Sequence, residues 1–112
     1  MQTDETYSLT APPRAEIDAL TTPAVIEFGN GWCGHCNAAQ PLIAAAMANH
    51  PTVRHIKIAD GKGLPLGRSF KVKLWPTLIF LHGGVEKSRL VRPLSISVIA
   101  DALEQIDATN QL

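Results

Sequence analysis

Cys33 and Cys36 are the only cysteines in this chain of 112 residues, and they lie three positions apart in the segment WCGHC. A pair with this spacing supports three kinds of chemistry: a structural disulfide, half of a metal site, or a dithiol that cycles between reduced and oxidised forms. A disulfide that closes so short a loop adds little stability, because it removes little entropy from the unfolded chain. The chain is also long enough to bury a core without that link, so a purely structural disulfide is disfavoured.

A zinc site is the second interpretation, because a Cys-x-x-Cys pair supplies half of the usual four ligands. The chain has no second cysteine pair, and His35, His50 and His55 lack the spacing of paired ligands. We therefore expect no bound metal. The sequence favours the cycling dithiol.

The two cysteines are predicted to lie at the start of a helix. The turn signal Gly29-Asn30-Gly31 precedes them, and residues 33–49 are rich in Ala, Leu, Ile, Met and Gln, with Pro41 as the one interruption. Unpaired N–H groups and the dipole at a helix N-terminus favour a thiolate, so Cys33 is predicted to be the nucleophile. Cys36, one turn further along, is predicted to be the resolving thiol that frees the product.

The two residues between the cysteines have separate expected effects. His35 can carry a positive charge near pH 7 or donate a hydrogen bond, and either effect favours the thiolate. The reduced form is then stabilised, which makes the pair more oxidising. Gly34 leaves room for a partner chain to approach closely.

The rest of the chain supplies the elements that position this pair. Apolar spacing and turn residues predict eight elements in the order helix, strand, helix, strand, helix, strand, strand, helix. Their predicted bounds are 14–20, 24–28, 33–49, 53–58, a short helix near the end of 60–70, 76–81, 85–91 and 95–106. This order predicts an α/β fold with a central mixed β-sheet flanked by helices on both faces. We expect a flexible N-terminal segment over residues 1–9 and a single domain over residues 10–112.

Composition limits the partners. From Arg54 to Arg92 nine basic residues face only Asp60 and Glu86, but few aromatic residues lie among them, so a solvated face is favoured over a nucleic-acid groove. The N-terminal segment MQTDETYS lacks the features of a secretory signal, and the apolar runs are too short to span a bilayer. We expect a cytoplasmic monomer that binds neither nucleic acid nor membranes.

The segment Trp32–Cys36 resembles the active site of the thioredoxin superfamily, and CGHC is the form typical of protein disulfide isomerase domains. Other motifs extend the likeness over roughly residues 10–108. Glu27, six residues before Cys33, corresponds to the buried acid of the family. Pro41 corresponds to the proline that kinks the active-site helix, and Trp75-Pro76-Thr77 resembles the cis-proline segment. The resemblance implies the thioredoxin fold.

The resemblance also implies roles for the residues around the cysteines. A buried Glu27 is expected to have a raised pKa, because burial disfavours its charged form, and to act as the general base for Cys36. A cis Pro76 would place its loop beside Cys33 and offer backbone groups to an extended substrate. Trp32 is expected to form an apolar contact surface.

Departures from the family pattern surround the expected substrate groove. Trp75 precedes the proline where a small or β-branched residue is common, and Arg92-Pro93 replaces a segment that usually contains glycine. The segment Gly29-Asn30-Gly31 stands where thioredoxins usually have a second tryptophan. We expect Trp75 and Arg92 to contact the substrate and to affect which substrate binds.

The expected activity is therefore thiol-disulfide exchange between the Cys33–Cys36 pair and protein disulfides, with the chain acting as a thioredoxin-like reductase. A reductase or a small thiol would supply the electrons, and no organic cofactor is expected. Two alternatives stay open: a protein disulfide isomerase or oxidase, and a binding module that has kept the fold without turnover.

Overall fold

The computed structural model describes residues 7–107 of the chain. Within that range four helices and four strands follow one another in the predicted order. Their bounds are α1 (Arg14–Asp18), β1 (Ala24–Gly29), α2 (Gly34–Met47), β2 (Arg54–Ala59), α3 (Pro65–Ser69), β3 (Thr77–His82), β4 (Val85–Val91) and α4 (Ile96–Ile106). No helix among these residues is long and apolar enough to cross a membrane.

The four strands form one mixed sheet in the order β2-β1-β3-β4. Strand β1 pairs in parallel with β2 and antiparallel with β3, and β3 pairs antiparallel with β4. All six residues of β1 are buried, which agrees with its nearly continuous apolar run, AVIEFG. The chain leaves the end of this central strand directly before the segment that contains the cysteines. The α/β prediction of a mixed sheet flanked by helices is confirmed.

Alternation along β1 divides the core into two layers. Val25 faces a cluster that α2 and α4 cover, with Ile43 and Leu103 among its members. Ile26 and Phe28 face the second cluster, on the side of α1 and α3. Because side chains alternate along a strand, Glu27 lies on the same face as Val25. The one acid of β1 is therefore directed toward α2, the helix that carries Cys36.

The described end of the segment that is predicted to be flexible, residues 1–9, contacts the sheet. Tyr7 is buried, with 8% of its surface exposed, and Ser8 forms a parallel bridge with Ile58 of β2. The Ser8 N–H donates to the Lys57 carbonyl at 3.0 Å, and the Ser8 carbonyl accepts from the Ala59 N–H at 2.8 Å. The free edge of β2 supplies these backbone partners, which the polar sequence of the segment does not indicate. Residues 1–6 lie outside the described part.

Candidate active site

Cys33 begins α2 as its N-cap residue. Its Sγ accepts a hydrogen bond from the Cys36 backbone N–H at 3.2 Å, and the residue is 8% exposed. This N–H is one of the donors that a helix leaves unpaired in its first turn. The sulfur that would carry negative charge thus lies against a backbone donor, in a residue that keeps 8% of its surface exposed.

Cys36 differs sharply from Cys33, although both thiols are free. It has no exposed surface and lies in the first turn of α2. Burial, and after it the hydrogen bond with Cys33, raises the pKa of the Cys36 thiol to about 12. At neutral pH Cys36 is therefore a protonated, inaccessible thiol. The predicted difference between a nucleophilic and a resolving cysteine has this geometric basis.

Glu27 is fully buried and accepts three hydrogen bonds. Its Oε2 accepts from the Tyr7 hydroxyl and from Gln40 Nε2, the latter at 2.8 Å, and its Oε1 lies 2.8 Å from His55 Nε2. Burial alone would raise the pKa of Glu27, but the hydrogen bonds from His55, Tyr7 and Gln40 outweigh it and lower the pKa. The expectation of a raised pKa is wrong, because it omitted these partners. Glu27 is a carboxylate at neutral pH.

Gln40 connects this carboxylate to the helix that carries the cysteines. Its Nε2 lies 2.8 Å from Glu27 Oε2, 2.9 Å from the Cys36 carbonyl oxygen and 3.1 Å from the Tyr7 hydroxyl oxygen, and its Oε1 accepts from Lys57 Nζ at 2.7 Å. The sequence analysis missed Gln40. Its position four residues after Cys36, on the same helix face, was an available signal.

The loop before β3 lies against Cys33. The Trp75–Pro76 peptide bond is cis, and the Trp75 carbonyl oxygen lies 4.0 Å from Cys33 Sγ. Arg92, just after β4, holds this carbonyl through its Nε at 2.8 Å, and its backbone N–H donates to the Pro76 carbonyl at 3.0 Å. The structure therefore brings Arg92 to the site through contacts with this loop.

Two tryptophans form an aromatic pair beside the thiols. Trp32 and Trp75 pack edge to face, with ring centroids 5.6 Å apart and an interplanar angle of 82°. Trp32 is 76% exposed, while the half-buried Trp75 packs against the cluster that contains both cysteines. The exposed ring thus stands next to the reactive sulfur and rests on a fixed neighbour.

The surface around the motif is apolar and open. Leu94 is 91% exposed and lines a cavity of about 100 Å³ together with His35 and Arg92. A side chain at Gly34 would meet nothing within 4 Å, so this part of the surface leaves space for another chain. Of the predicted site residues, His35 and Gly34 are exposed, while Pro76 is buried in the loop beside Cys33. In the described part of the chain, no group of three or more His, Cys, Asp and Glu side chains is arranged to hold a metal ion.

The chain is similar to known proteins in sequence and in structure. The family model of thioredoxin matches residues 12–105. Thioredoxin 2 from Pseudomonas aeruginosa PAO1, solved in its reduced form, is 50% identical and superposes with a TM-score of 0.84, covering 96% of this chain and 99% of that one. A thioredoxin from Mycoplasma pneumoniae is 28% identical over 68% of this chain and 74% of its own length. The protein disulfide isomerase-like 1-4 of Oryza sativa subsp. japonica is 31% identical over 75% of this chain, but over only 16% of its own length.

Proposed function

The chain belongs to the thioredoxin family of thiol-disulfide oxidoreductases, and we propose that it acts as a reductase of protein disulfides, with Cys33 as the attacking thiol and Cys36 as the resolving thiol. The observation that carries this assignment is the difference between the two sulfurs. Cys33 reaches the surface and accepts a backbone N–H, whereas Cys36 is enclosed and has a raised pKa. Only Cys33 can meet a disulfide on another protein.

In the proposed first step the Cys33 thiolate forms a bond to one sulfur of the substrate disulfide. The substrate S–S bond breaks, and its electron pair leaves with the second sulfur. Cys36 then loses its proton and attacks Cys33 Sγ, which releases the first substrate sulfur as a thiolate. The substrate gains two electrons, and the chain is left with a Cys33–Cys36 disulfide.

The surrounding residues are proposed to bind the substrate. Trp32 and Trp75 offer an apolar face beside Cys33, and the open surface at Gly34 admits an extended segment. The Pro76 loop leads into β3 and lies beside the sulfur, where its backbone groups are proposed to pair with an extended chain. Arg92 is proposed to orient that loop and to contact the substrate.

The return to the dithiol needs a source of two electrons. We propose that a partner reductase or a small thiol supplies them and that neither an organic cofactor nor a metal takes part. Disulfides in the cytoplasm are usually transient and catalytic, so a cycling dithiol suits that compartment. We propose that the chain works there, as a monomer. Thioredoxin 2 of P. aeruginosa, which is 50% identical, supports the proposed exchange of thiols and disulfides.

The direction of the reaction can be tested through the reduction potential of the Cys33–Cys36 pair. The protein is equilibrated in thiol buffers of known potential, and the fraction of disulfide is measured by mass spectrometry after alkylation. A value near about −270 mV fits a reductant of the thioredoxin type. A value near about −180 mV would favour the isomerase or oxidase alternative, for which the CGHC motif and the likeness to a protein disulfide isomerase-like chain are the specific observations.

Turnover separates an enzyme from a binding module. The reduced chain is mixed with a protein disulfide and an excess of dithiothreitol, and the loss of substrate disulfide is followed over time. Substitution Cys33→Ser should abolish the catalysed rate, while substitution of the exposed Ser97 of α4 by Ala should leave it unchanged. A wild-type rate no greater than that of dithiothreitol alone would contradict the proposal.

A further inference from the structure

Cys36 must lose its proton in a place that water does not reach. The residue has no exposed surface, and its thiol has a pKa of about 12 in the reduced protein. At pH 7 such a thiol is almost entirely protonated. Because Cys36 is enclosed, a base inside the protein has to take its proton as the new sulfur–sulfur bond forms.

Glu27 is ionised, and the Tyr7 side chain links it to the cluster that contains the thiol. The Tyr7 hydroxyl donates to Glu27 Oε2, and Tyr7 packs with Cys36 in one buried cluster. Tyr7 and Cys36 meet beside Gly29, where a Cβ would lie 2.7 Å from Cys36 Sγ and 2.9 Å from the Tyr7 hydroxyl oxygen. The absence of a side chain at this position leaves room for the phenol and the thiol on the same side of Gly29.

We propose that Tyr7 carries the proton from Cys36 to Glu27 in the resolving step. The phenol accepts the thiol proton on its oxygen and passes its own proton to Glu27 Oε2 in the same event. The Cys36 sulfur forms its bond to Cys33 Sγ, and the bond between Cys33 and the substrate sulfur breaks with its electron pair on the substrate. Glu27 ends as a neutral carboxylic acid, and Tyr7 is unchanged.

The Gln40 amide is the other link between Glu27 and the helix, and it is a poorer carrier. Its Nε2 donates to Glu27, to the Cys36 carbonyl oxygen and to the Tyr7 hydroxyl oxygen, and none of these contacts reaches the Cys36 sulfur. An amide N–H also gives up its proton far less readily than a phenol does. The contacts of Gln40 instead fix Tyr7 and Glu27 relative to each other.

The mixed disulfide itself makes this transfer easier. Both the hydrogen bond with Cys33 and its charge raise the pKa of Cys36 in the reduced protein. Once Cys33 is bonded to the substrate sulfur, its thiolate charge is gone and both effects are removed. Cys36 therefore becomes more acidic at the moment at which its proton has to leave.

The groups around the relay favour an ionised Glu27 before the transfer. His55 Nε2 donates to Glu27 Oε1 at 2.8 Å, and this hydrogen bond lowers the pKa of Glu27. Lys57, which pairs with Glu27 in the sheet register, places its Nζ 4.7 Å from the centre of the Tyr7 ring. This cation–π contact helps to hold the Tyr7 ring in place.

The test separates the two chemical steps in the full chain. Reduced protein is mixed with excess glutathione disulfide, and the reaction is quenched in acid at successive times. Mass spectrometry then gives the fractions of dithiol, glutathione adduct and internal disulfide. For Tyr7→Phe the adduct should accumulate, because the resolving step slows at least about tenfold at pH 7 while the first attack keeps its rate. Its resolving rate should rise with pH, as hydroxide replaces the missing relay. Ser8→Ala is the matched control, because the Ser8 hydroxyl lies in the same segment but donates to the Thr10 carbonyl. This variant should behave as wild type.

Two results would overturn the relay: an unchanged resolving rate in Tyr7→Phe, or an equal slowing of both steps with no change in the pH profile. Tyr7 is the only tyrosine in the chain, so growth on 3-fluorotyrosine alters the acidity of this one phenol without removing it. The relay predicts a change of more than about twofold in the resolving rate of that protein, and an unchanged rate contradicts it.

The inference rests on the proposed roles of Cys33 and Cys36. Failure of those roles would show separately, as a wild-type chain that forms no adduct and no disulfide.

Discussion

The Trp75 indole nitrogen donates a hydrogen bond of 2.8 Å to Oδ2 of Asp60, a fully buried carboxylate at the end of β2. Arg68 donates to the same oxygen at 2.7 Å, and Gly67 makes room for the group, since a Cβ there would lie 1.9 Å from Asp60 Oδ1. The bond fixes the tryptophan whose carbonyl lies beside Cys33 and whose ring supports Trp32. A buried carboxylate thereby orients the aromatic neighbour of the thiols.

Substitution Asp60→Ala should lower the free energy of unfolding by about 1–3 kcal/mol, because the Trp75 N–H loses its buried acceptor. Urea unfolding of Asp60→Ala, Trp75→Phe and the double variant measures how far the two side chains depend on each other. We expect the double variant to lose clearly less stability than the sum of the single ones. The exposed Asp101 of α4 is the control, and its alanine variant should stay within about 0.5 kcal/mol of wild type. Strictly additive losses would show that Asp60 does not hold the indole.

Substitution Gly29→Ala should destabilise the chain by about 1–3 kcal/mol, because the new Cβ would lie 2.7 Å from Cys36 Sγ and 2.9 Å from the Tyr7 ring. The matched variant is Gly31→Ala two residues later, where a Cβ meets nothing within 4 Å. Thermal and urea unfolding of the two variants gives the comparison. Equal stability of both would mean that the packing around Gly29 can yield, and would contradict the tight contact between Tyr7 and Cys36.

The sequence predicted most of the fold, because local patterns determine most of its elements. The continuous apolar run of β1, the alanine-rich helix after the cysteines and the amphipathic pattern of α4 each have a period or composition that favours one structure. The cysteines and Glu27 could be identified from short-range spacing. The element bounds differ by only one or two residues at most ends, where caps and turns decide.

Tyr7 and Asp60, which the sequence did not reveal, contact partners that are far from them along the chain. Tyr7 lies 20 positions before Glu27 in a polar segment with no regular pattern, and it reaches the site only because Ser8 pairs with the edge of β2. Asp60 and Trp75 are likewise brought together by the packing of two loops. The direction of the pKa shift of Glu27 depends on such partners, so a rule based on burial alone gave the wrong sign.

Stability should depend on pH through Glu27. Because its pKa is lowered on folding, the carboxylate contributes stability that is fully present above its unfolded value, about 4.5, and is lost as the pH falls through the lower folded value. The difference in free energy of unfolding between wild type and Glu27→Gln should therefore shrink as the pH is lowered below about 4.5. Urea unfolding between pH 7 and pH 3 measures this, with Glu104→Gln on the surface of α4 as the control for the change in charge. A difference that grows as the pH falls would mean that the folded pKa is raised.

The two thiols should react with iodoacetamide at very different rates in the folded reduced protein. A thiol with a pKa of about 12 is almost entirely protonated at pH 8, and Cys36 is also fully buried. We expect Cys36 to be alkylated at least about 10²-fold more slowly than Cys33, as measured by peptide mass spectrometry over time. In concentrated guanidinium chloride the two rates should become similar. Comparable rates in the folded protein would contradict the proposed division between an attacking and a resolving thiol.

Arg92 combines two effects that a pair of substitutions can separate. It has a φ of +53°, a left-handed conformation that costs a residue with a side chain about 1–2 kcal/mol, and its Nε bonds the Trp75 carbonyl at 2.8 Å. Arg92→Ala loses the hydrogen bond and keeps the strain, whereas Arg92→Gly loses the bond and relieves the strain. The free energy of unfolding of the glycine variant, measured in urea, should therefore be about 1 kcal/mol higher than that of the alanine variant.

Both substitutions free the Trp75 carbonyl beside Cys33, so their effect on the reaction should be the same despite their different stabilities. We expect each to raise the KM for a protein disulfide several-fold and to leave the rate with glutathione disulfide nearly unchanged, because a small disulfide needs no extended groove. If activity instead followed stability, with glycine close to wild type and alanine impaired, Arg92 would act through the shape of the backbone alone. Its guanidinium would then have no part in orienting the loop.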